Sequence, residues 1–280
     1  MFTQILGNLD KQSIDSVIDK TNKLIKIPSN LYLYFLENID LCYSIKLPRN
    51  IQKKFKLSCS HKNSFSFKFK NRKLIVIYVD KQIMQNQDAL IGLLLHEISH
   101  IDQMDKKVYK QIYDGYNSSY TYNLKLFNSL KYNKDEIKKL FYDISLISIL
   151  TLKDIYANKS LIDQKLTKYL LAHYKVEFNK KICPKPIFYK NLKIVKNDLN
   201  IVKTIFEFEL SLLSVILPLY ETKSAEKIVN IIESCYEVNI QTISEKCHCL
   251  ITLYFADFKK KNFNEKFINL IFLKVYNLLK

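Results

Sequence analysis

His96 and His100 sit four residues apart in the stretch "IGLLLHEISHI" (91–101), with Glu97 beside the first. On a helix, positions i and i+4 share one face about 6 Å apart, so two imidazoles there can grip one zinc ion at about 2.0–2.1 Å. Glu97, one position on, projects about 100° around the same helix. It flanks such an ion without binding it, placed to take a proton from a metal-activated water. With five histidines and twelve glutamates among 280 residues, chance alone yields roughly 0.004 matches to this spacing.

The neighbouring residues predict a helix that can carry this group. Leu90, Ile91, Leu94, Leu95, Ile98 and Ile101 fall on the side away from His96, while Gly92 and Gln103 fall near the histidine face. Glycine inside a helix costs about 1 kcal/mol against alanine, and this chain uses only three. One turn before His96, Gly92 marks a close approach by another element. A helix bringing a third ligand is the natural candidate.

The stretch "LLLHEISHI" resembles the active-site helix of zincin metallopeptidases, whose signature is HExxH among apolar residues. The layout is similar as well: a small sheet, its last strands just before the helix, then a helical half. The resemblance covers roughly residues 50 to 165 and is specific over about ten of them. It implies His96 and His100 as zinc ligands and Glu97 as the catalytic base.

A catalytic zinc takes three protein ligands and a water. Gln103 and Lys106 stand where the metzincin pattern HExxHxxGxxH needs its glycine and third histidine, so that arrangement is excluded. Gluzincin-like enzymes take a carboxylate from a later helix, often with Asp or Asn four residues on that orients the first histidine. The stretch "LTLKDIYANKSLI" (150–162) looks like that second motif. By this likeness Asp154 is the third ligand and Asn158 holds the tautomer of His96, with Ala157 small enough to pack against Gly92. Aspartate departs from the commoner glutamate, and its shorter reach demands a closer helix. A surface ion pair for Asp154 stays open. So do Glu207, Glu209 and Asp143 as ligands, acidic residues inside apolar runs that need a reason to be there. For an oxyanion-stabilising group, His173 and Tyr156 are both available, and the sequence does not choose.

The elements that position these residues can be read more coarsely. Residues 11–25 have helical spacing and stop before Pro28, and Ser29 or Asn30 marks the cap of a second helix through "LYLYFLENI". Then "FKLSC", "SFSFKFK" and "KLIVIYVD" read as strands between 55 and 80, with Asn71-Arg72 as a hairpin turn. The last is apolar at almost every position, as in a strand buried on both faces. From about residue 82 onward the chain reads almost wholly as helix. The expected fold class is α+β and predominantly helical: a small N-terminal sheet, the zincin-type helix and a C-terminal helical region. The best break is "NKKICPKPIFYKN" (179–191), with Pro184 and Pro186. It separates a zincin-like metallopeptidase domain, 1–178, from an all-helical region, 179–280.

Composition narrows the partners. Net charge is +17, yet only Arg49 and Arg72 are arginine and the lysines are spread along the whole chain. Lys, Asn, Ile, Tyr and Phe are common while Gly, Pro and Trp are scarce, the residue set of A/T-rich codons. Readers of nucleic acid usually carry arginine for bidentate contacts, so no nucleic-acid partner is expected. The six cysteines form no CxxC framework, and Cys247 and Cys249 in "EKCHCL" point apart on a helix. Free thiols in a reducing compartment follow. The start, "MFTQILGNLDKQ", lacks the features of a signal peptide. Neither "IFEFELSLLSVILPLY" (205–220) nor "LFYDISLISILTL" (140–152) supplies the roughly 20 clean apolar residues of a membrane span. A cytoplasmic protein is expected.

The resemblance thus implies one catalytic Zn²⁺ and hydrolysis of a peptide or protein substrate, laid antiparallel along an edge strand drawn from 64–79. The alternative is a non-catalytic, lysine-rich helical binding protein for a nucleic acid or protein partner, its HExxH helix a relic or a structural metal site. Oligomeric state is not legible.

Overall fold

The computed structural model describes residues 1–45, 64–69, 72–180, 198–220, 222–236, 245 and 247–280. The fold is α+β and predominantly helical, with one small sheet near the N-terminus. The sheet comprises β1 (Phe2–Leu6), β2 (Leu31–Leu36), β3 (Ser64–Phe69) and β4 (Arg72–Tyr78), in the order β1-β2-β4-β3. β2 pairs parallel with both β1 and β4, whereas β3 runs antiparallel to β4. Parallel neighbours need a crossover, usually a helix. α1 (Lys11–Leu24) supplies it between β1 and β2, capped by Asp10, which accepts from the Gln12 amide. It buries Ile14, Val17, Ile18 and Thr21.

Two of these strands depart from the sequence reading. "LYLYFL", expected as a helix capped by Ser29 or Asn30, is strand β2. Leu31, Leu33, Phe35 and Leu36 are all buried, and a run apolar on both faces is how a central strand reads. Periodicity alone cannot separate such a run from a short buried helix. β1, for which no strand was expected, borders β2 along its full length. β4, with Ile75, Val76 and Ile77 fully buried between two neighbours, is the doubly covered strand that its composition predicts. The expected strand "FKLSC", turn residue Asn71 and residues 181–191 of the proline-bearing break lie outside the described residues.

The helices that follow are α2 (Lys81–Met84), α3 (Gln87–Asp105), α4 (Val108–Asn128), α5 (Lys134–Asp163), α6 (Thr167–Lys180), α7 (Leu199–Leu219), α8 (Ala225–Tyr236), α9 (His248–Asp257) and α10 (Phe263–Leu279). The chain divides into two compact units, Met1–Lys106 with Ser160–Lys180, and Lys107–Lys159 with Lys181–Lys280. The last turn of α5 therefore belongs to the first unit and the rest to the second.

In the first unit α3 lies against α1, β3 and β4 and packs closely along α6. Gly92 makes that packing possible. A Cβ there would come within 2.1 Å of the Tyr169 carbonyl oxygen and 2.9 Å of His173 Cβ. The close approach read from Gly92 is real, but the helix that makes it is α6, not the 150–162 helix with Ala157. Ion pairs hold both ends of α3: Lys168 with Asp88 at its start, Lys68 and Lys73 with Asp105 at its end.

In the second unit α4 packs on α10, α9 on α10, and α7 on α8. Phe127, Phe141 and Phe272 form an aromatic cluster with centroids 4.9–5.7 Å apart, the separation at which ring pairs attract beyond their area. No described helix is long and apolar enough to cross a membrane. Cys247 and Cys249 are free, but Cys42 is disulfide-bonded, against the expectation of free thiols throughout. Cysteine spacing could not show this, because a disulfide depends on which Cβ atoms the fold brings together.

Candidate metal centre

α3 begins at Asn86, whose side chain accepts from the Ala89 amide, with Asp88 in the first turn where the helix dipole favours an acid. From Ala89 to Ile101 every residue is buried. The apolar side was expected to be covered. The histidine side is covered as well, because α6 closes over it: His96 is 7% exposed and His100 8%.

The two histidine Nε2 atoms are 3.0 Å apart, with the rings nearly perpendicular. Two nitrogens each about 2.0–2.1 Å from a tetrahedral zinc would be separated by about 3.3 Å. The observed gap is within a few tenths of an ångström of that. Ring nitrogens this close share either a proton or a cation.

Asp154 on α5 completes a group of three. One ligand atom each from His96, His100 and Asp154 lie within 4.8 Å of one another, and among the described residues no other set of three His, Cys, Asp or Glu side chains does so. Two imidazole nitrogens and one carboxylate oxygen form a donor set that suits zinc. The other acidic candidates are engaged elsewhere. Asp143 pairs with Lys203 at 3.2 Å, Glu209 pairs with Lys274 at 2.6 Å, and Glu207 is exposed.

Glu97 is 4% exposed. Its Oε1 accepts from the Ser64 hydroxyl at 2.6 Å, and its Oε2 is buried without a hydrogen-bond partner. Further along the same helix, Gln103 is buried with neither amide atom hydrogen-bonded. A buried polar atom left unsatisfied costs about 1–3 kcal/mol. A buried, unpartnered carboxylate oxygen on the residue next to the ligand candidate His96 is a group that a metal-bound water would satisfy, so the residues fit the ion. Ser64 was missed by sequence reasoning: in "SFSFKF" it is one of two serines alternating with phenylalanines, and nothing marks it as the partner of Glu97.

The remaining expected residues fall as follows. Asn158 is fully buried and its Nδ2 donates to the Ser214 carbonyl at 2.8 Å, joining α5 to α7. Tyr156 donates to Asn264 Oδ1 at 3.2 Å, and burial pushes its hydroxyl pKa up to about 12. His173 lies beside His96, ring centroids 5.9 Å apart, and the Tyr174 ring centroid is 6.3 Å from that of His96. Of the two oxyanion candidates, His173 is thus the one next to a site histidine. Cys247 is buried and Cys249 exposed. Comparison of the chain with known protein families, with curated proteins and with solved structures gives no match.

Proposed function

We propose that the chain is a zinc-dependent peptidase of gluzincin-like type, in which His96, His100 and Asp154 hold one Zn²⁺ and Glu97 is the catalytic base. The observation that supports this most is the grouping of those three ligand atoms within 4.8 Å of one another, with the carboxylate of the residue next to His96 buried and one of its oxygens unpartnered. When bound, the zinc supplies a Lewis acid that polarises the scissile carbonyl and acidifies water. Glu97 Oε2 takes the proton of the attacking water and later delivers one to the leaving amine. Ser64 fixes the carboxylate through Oε1, so that Oε2 is the atom left for proton transfer. Asn158 serves as a positioning residue for His96. β3, at the edge of the described sheet and against α3, offers its backbone to an extended peptide. A cytoplasmic location belongs to the same proposal, and the Cys42 disulfide is the feature that speaks against it.

The burial of both histidines favours a second reading, a structural metal site in a lysine-rich binding protein. One experiment separates the two. Untagged protein should carry about one zinc per chain, lost in His96→Ala and His100→Ala because the remaining ligands cannot retain it. Glu97→Gln should keep the zinc and lose cleavage of a peptide library. Zinc without cleavage, in the wild type and the variant alike, would establish the structural site, and wild type without zinc would end both readings.

A further inference from the structure

The second unit holds another ionisable cluster, which the proposed chemistry does not use. Glu209 lies on α7, Cys247 immediately precedes α9, and Lys274 lies on α10. Lys274 Nζ is 2.6 Å from Glu209 Oε2 and 3.3 Å from Cys247 Sγ, and the thiol is 4.0 Å from the same carboxylate oxygen. Glu209 and Cys247 are 2% and 1% exposed. The Lys274 ammonium lies over the Phe206 ring, with Nζ 5.1 Å from its centroid. A buried carboxylate needs a cation beside it, which accounts for Lys274. It does not account for a free thiol against the ammonium. Both atoms of a lysine–cysteine pair are oxidisable, and here they share contact with an internal base.

We infer that Cys247 and Lys274 form a redox-controlled modification site, at which dioxygen joins them through an S–O–N bridge. The S–H bond and two N–H bonds break, and one S–O and one O–N bond form. Sulfur and nitrogen each give up two electrons, which together reduce dioxygen fully. One of its oxygen atoms stays in the bridge and the other leaves as water, taking two of the three released hydrogens. The third leaves as a proton to Glu209. Oxidation of the sulfur to the sulfenic level would put an oxygen against the lysine nitrogen 3.3 Å away. Burial alone would lower the lysine pKa, but Glu209 and Cys247 outweigh it and hold Lys274 above the ordinary lysine value. The amine at rest is therefore charged, and Glu209 is the group positioned to receive its proton.

The bridge has a structural consequence. Its nitrogen is no longer a cation, so Glu209 exchanges a buried ion pair for a protonated carboxyl, and the start of α9 becomes covalently stapled to α10. The cluster would thus report oxidation independently of the zinc site.

The test is mass spectrometry of the full chain, digested after storage under air and under dithiothreitol. Air should yield a linked peptide pair containing Cys247 and Lys274, with one oxygen gained and two hydrogens lost, and dithiothreitol should release it. Cys247→Ser and Lys274→Arg should abolish the link, the latter keeping a cation for Glu209, whereas Cys249→Ser should retain it. Protein oxidised while unfolded in urea should not form it. Recovery of Cys247 from the air-stored wild type as a free thiol, or as a sulfinic acid with Lys274 unmodified, would overturn the assignment.

Discussion

The hydroxyl of Ser64, the first residue of β3, donates to Glu97 Oε1 at 2.6 Å. A residue at the sheet edge thereby holds the carboxylate that is next in sequence to His96. Under the proposed function, replacing it should leave the three proposed ligands untouched while loosening the proposed base. Ser64→Ala is expected to retain zinc and to lower kcat about 10-fold, with KM little changed, as loss of a supporting hydrogen bond commonly does. Steady-state kinetics beside metal analysis would check this, and an unchanged kcat would reduce Ser64 to a packing role.

Gly92→Ala probes the seat of the helix itself. The new methyl would meet the Tyr169 carbonyl at 2.1 Å. That atom is backbone, which cannot swing aside, so α3 and α6 must separate. Against a helix-propensity gain of about 1 kcal/mol, overpacking of this kind costs about 1–3 kcal/mol. Net loss of stability is therefore expected in urea denaturation, together with weakened zinc retention, since His96 sits one turn further along. A variant as stable as the wild type would contradict the packing described.

The helix of 91–101 declares itself because its chemistry is local: the i and i+4 positions meet on one face whatever the tertiary fold. Gly92 likewise announced a close neighbour, but one-dimensional spacing cannot say which helix arrives, and the helix that does is α6. β2 is ambiguous in sequence for a related reason. Its six apolar residues carry no alternation, so only the strands on either side, supplied by distant segments, decide that it is extended. The Ser64–Glu97 bond and the Cys42 disulfide are tertiary in the same sense. Asp154 enters the expected ligand set only through the likeness of its stretch to the second motif of gluzincin-like enzymes, since no spacing rule connects residue 154 with residue 96.

Asp105 gives a pH-dependent prediction. Burial would raise its pKa, but hydrogen bonds from Lys68 on β3 and Lys73 on β4 outweigh that and hold it below the ordinary aspartate value of 3.8. A carboxyl lowered in the folded state contributes stability that is present above its unfolded pKa and lost as pH falls through the folded one. The group is a third exposed, so after solvent screening the contribution is about 0.5–1 kcal/mol. Asp105→Asn should be less stable than wild type by that amount near neutrality, and the difference should vanish in acid below the folded value. A constant difference across the titration would show that the lysine clamp is not its source.

Asp154 carries the ligand assignment, and its replacement has the sharpest expected outcome. Competition against a chromophoric chelator measures zinc affinity directly, without relying on an unidentified substrate. Removing a coordinating carboxylate leaves two imidazoles and water, so Asp154→Ala should bind zinc more than about 100-fold more weakly, beyond the range typical of supporting residues. Asp143→Asn, Glu207→Gln and Glu209→Gln should bind as the wild type does, because those carboxylates pair with lysines or face solvent. Asp154→Glu is the informative intermediate: it keeps the donor oxygen and adds one methylene where the aspartate already brings an oxygen within 4.8 Å of both histidine ligand atoms. It should retain zinc with reduced affinity, and should lose activity out of proportion, since the displaced ion no longer faces Glu97. Wild-type affinity in Asp154→Ala would remove the third ligand, and with it the reason to place a hydrolytic zinc at His96 and His100.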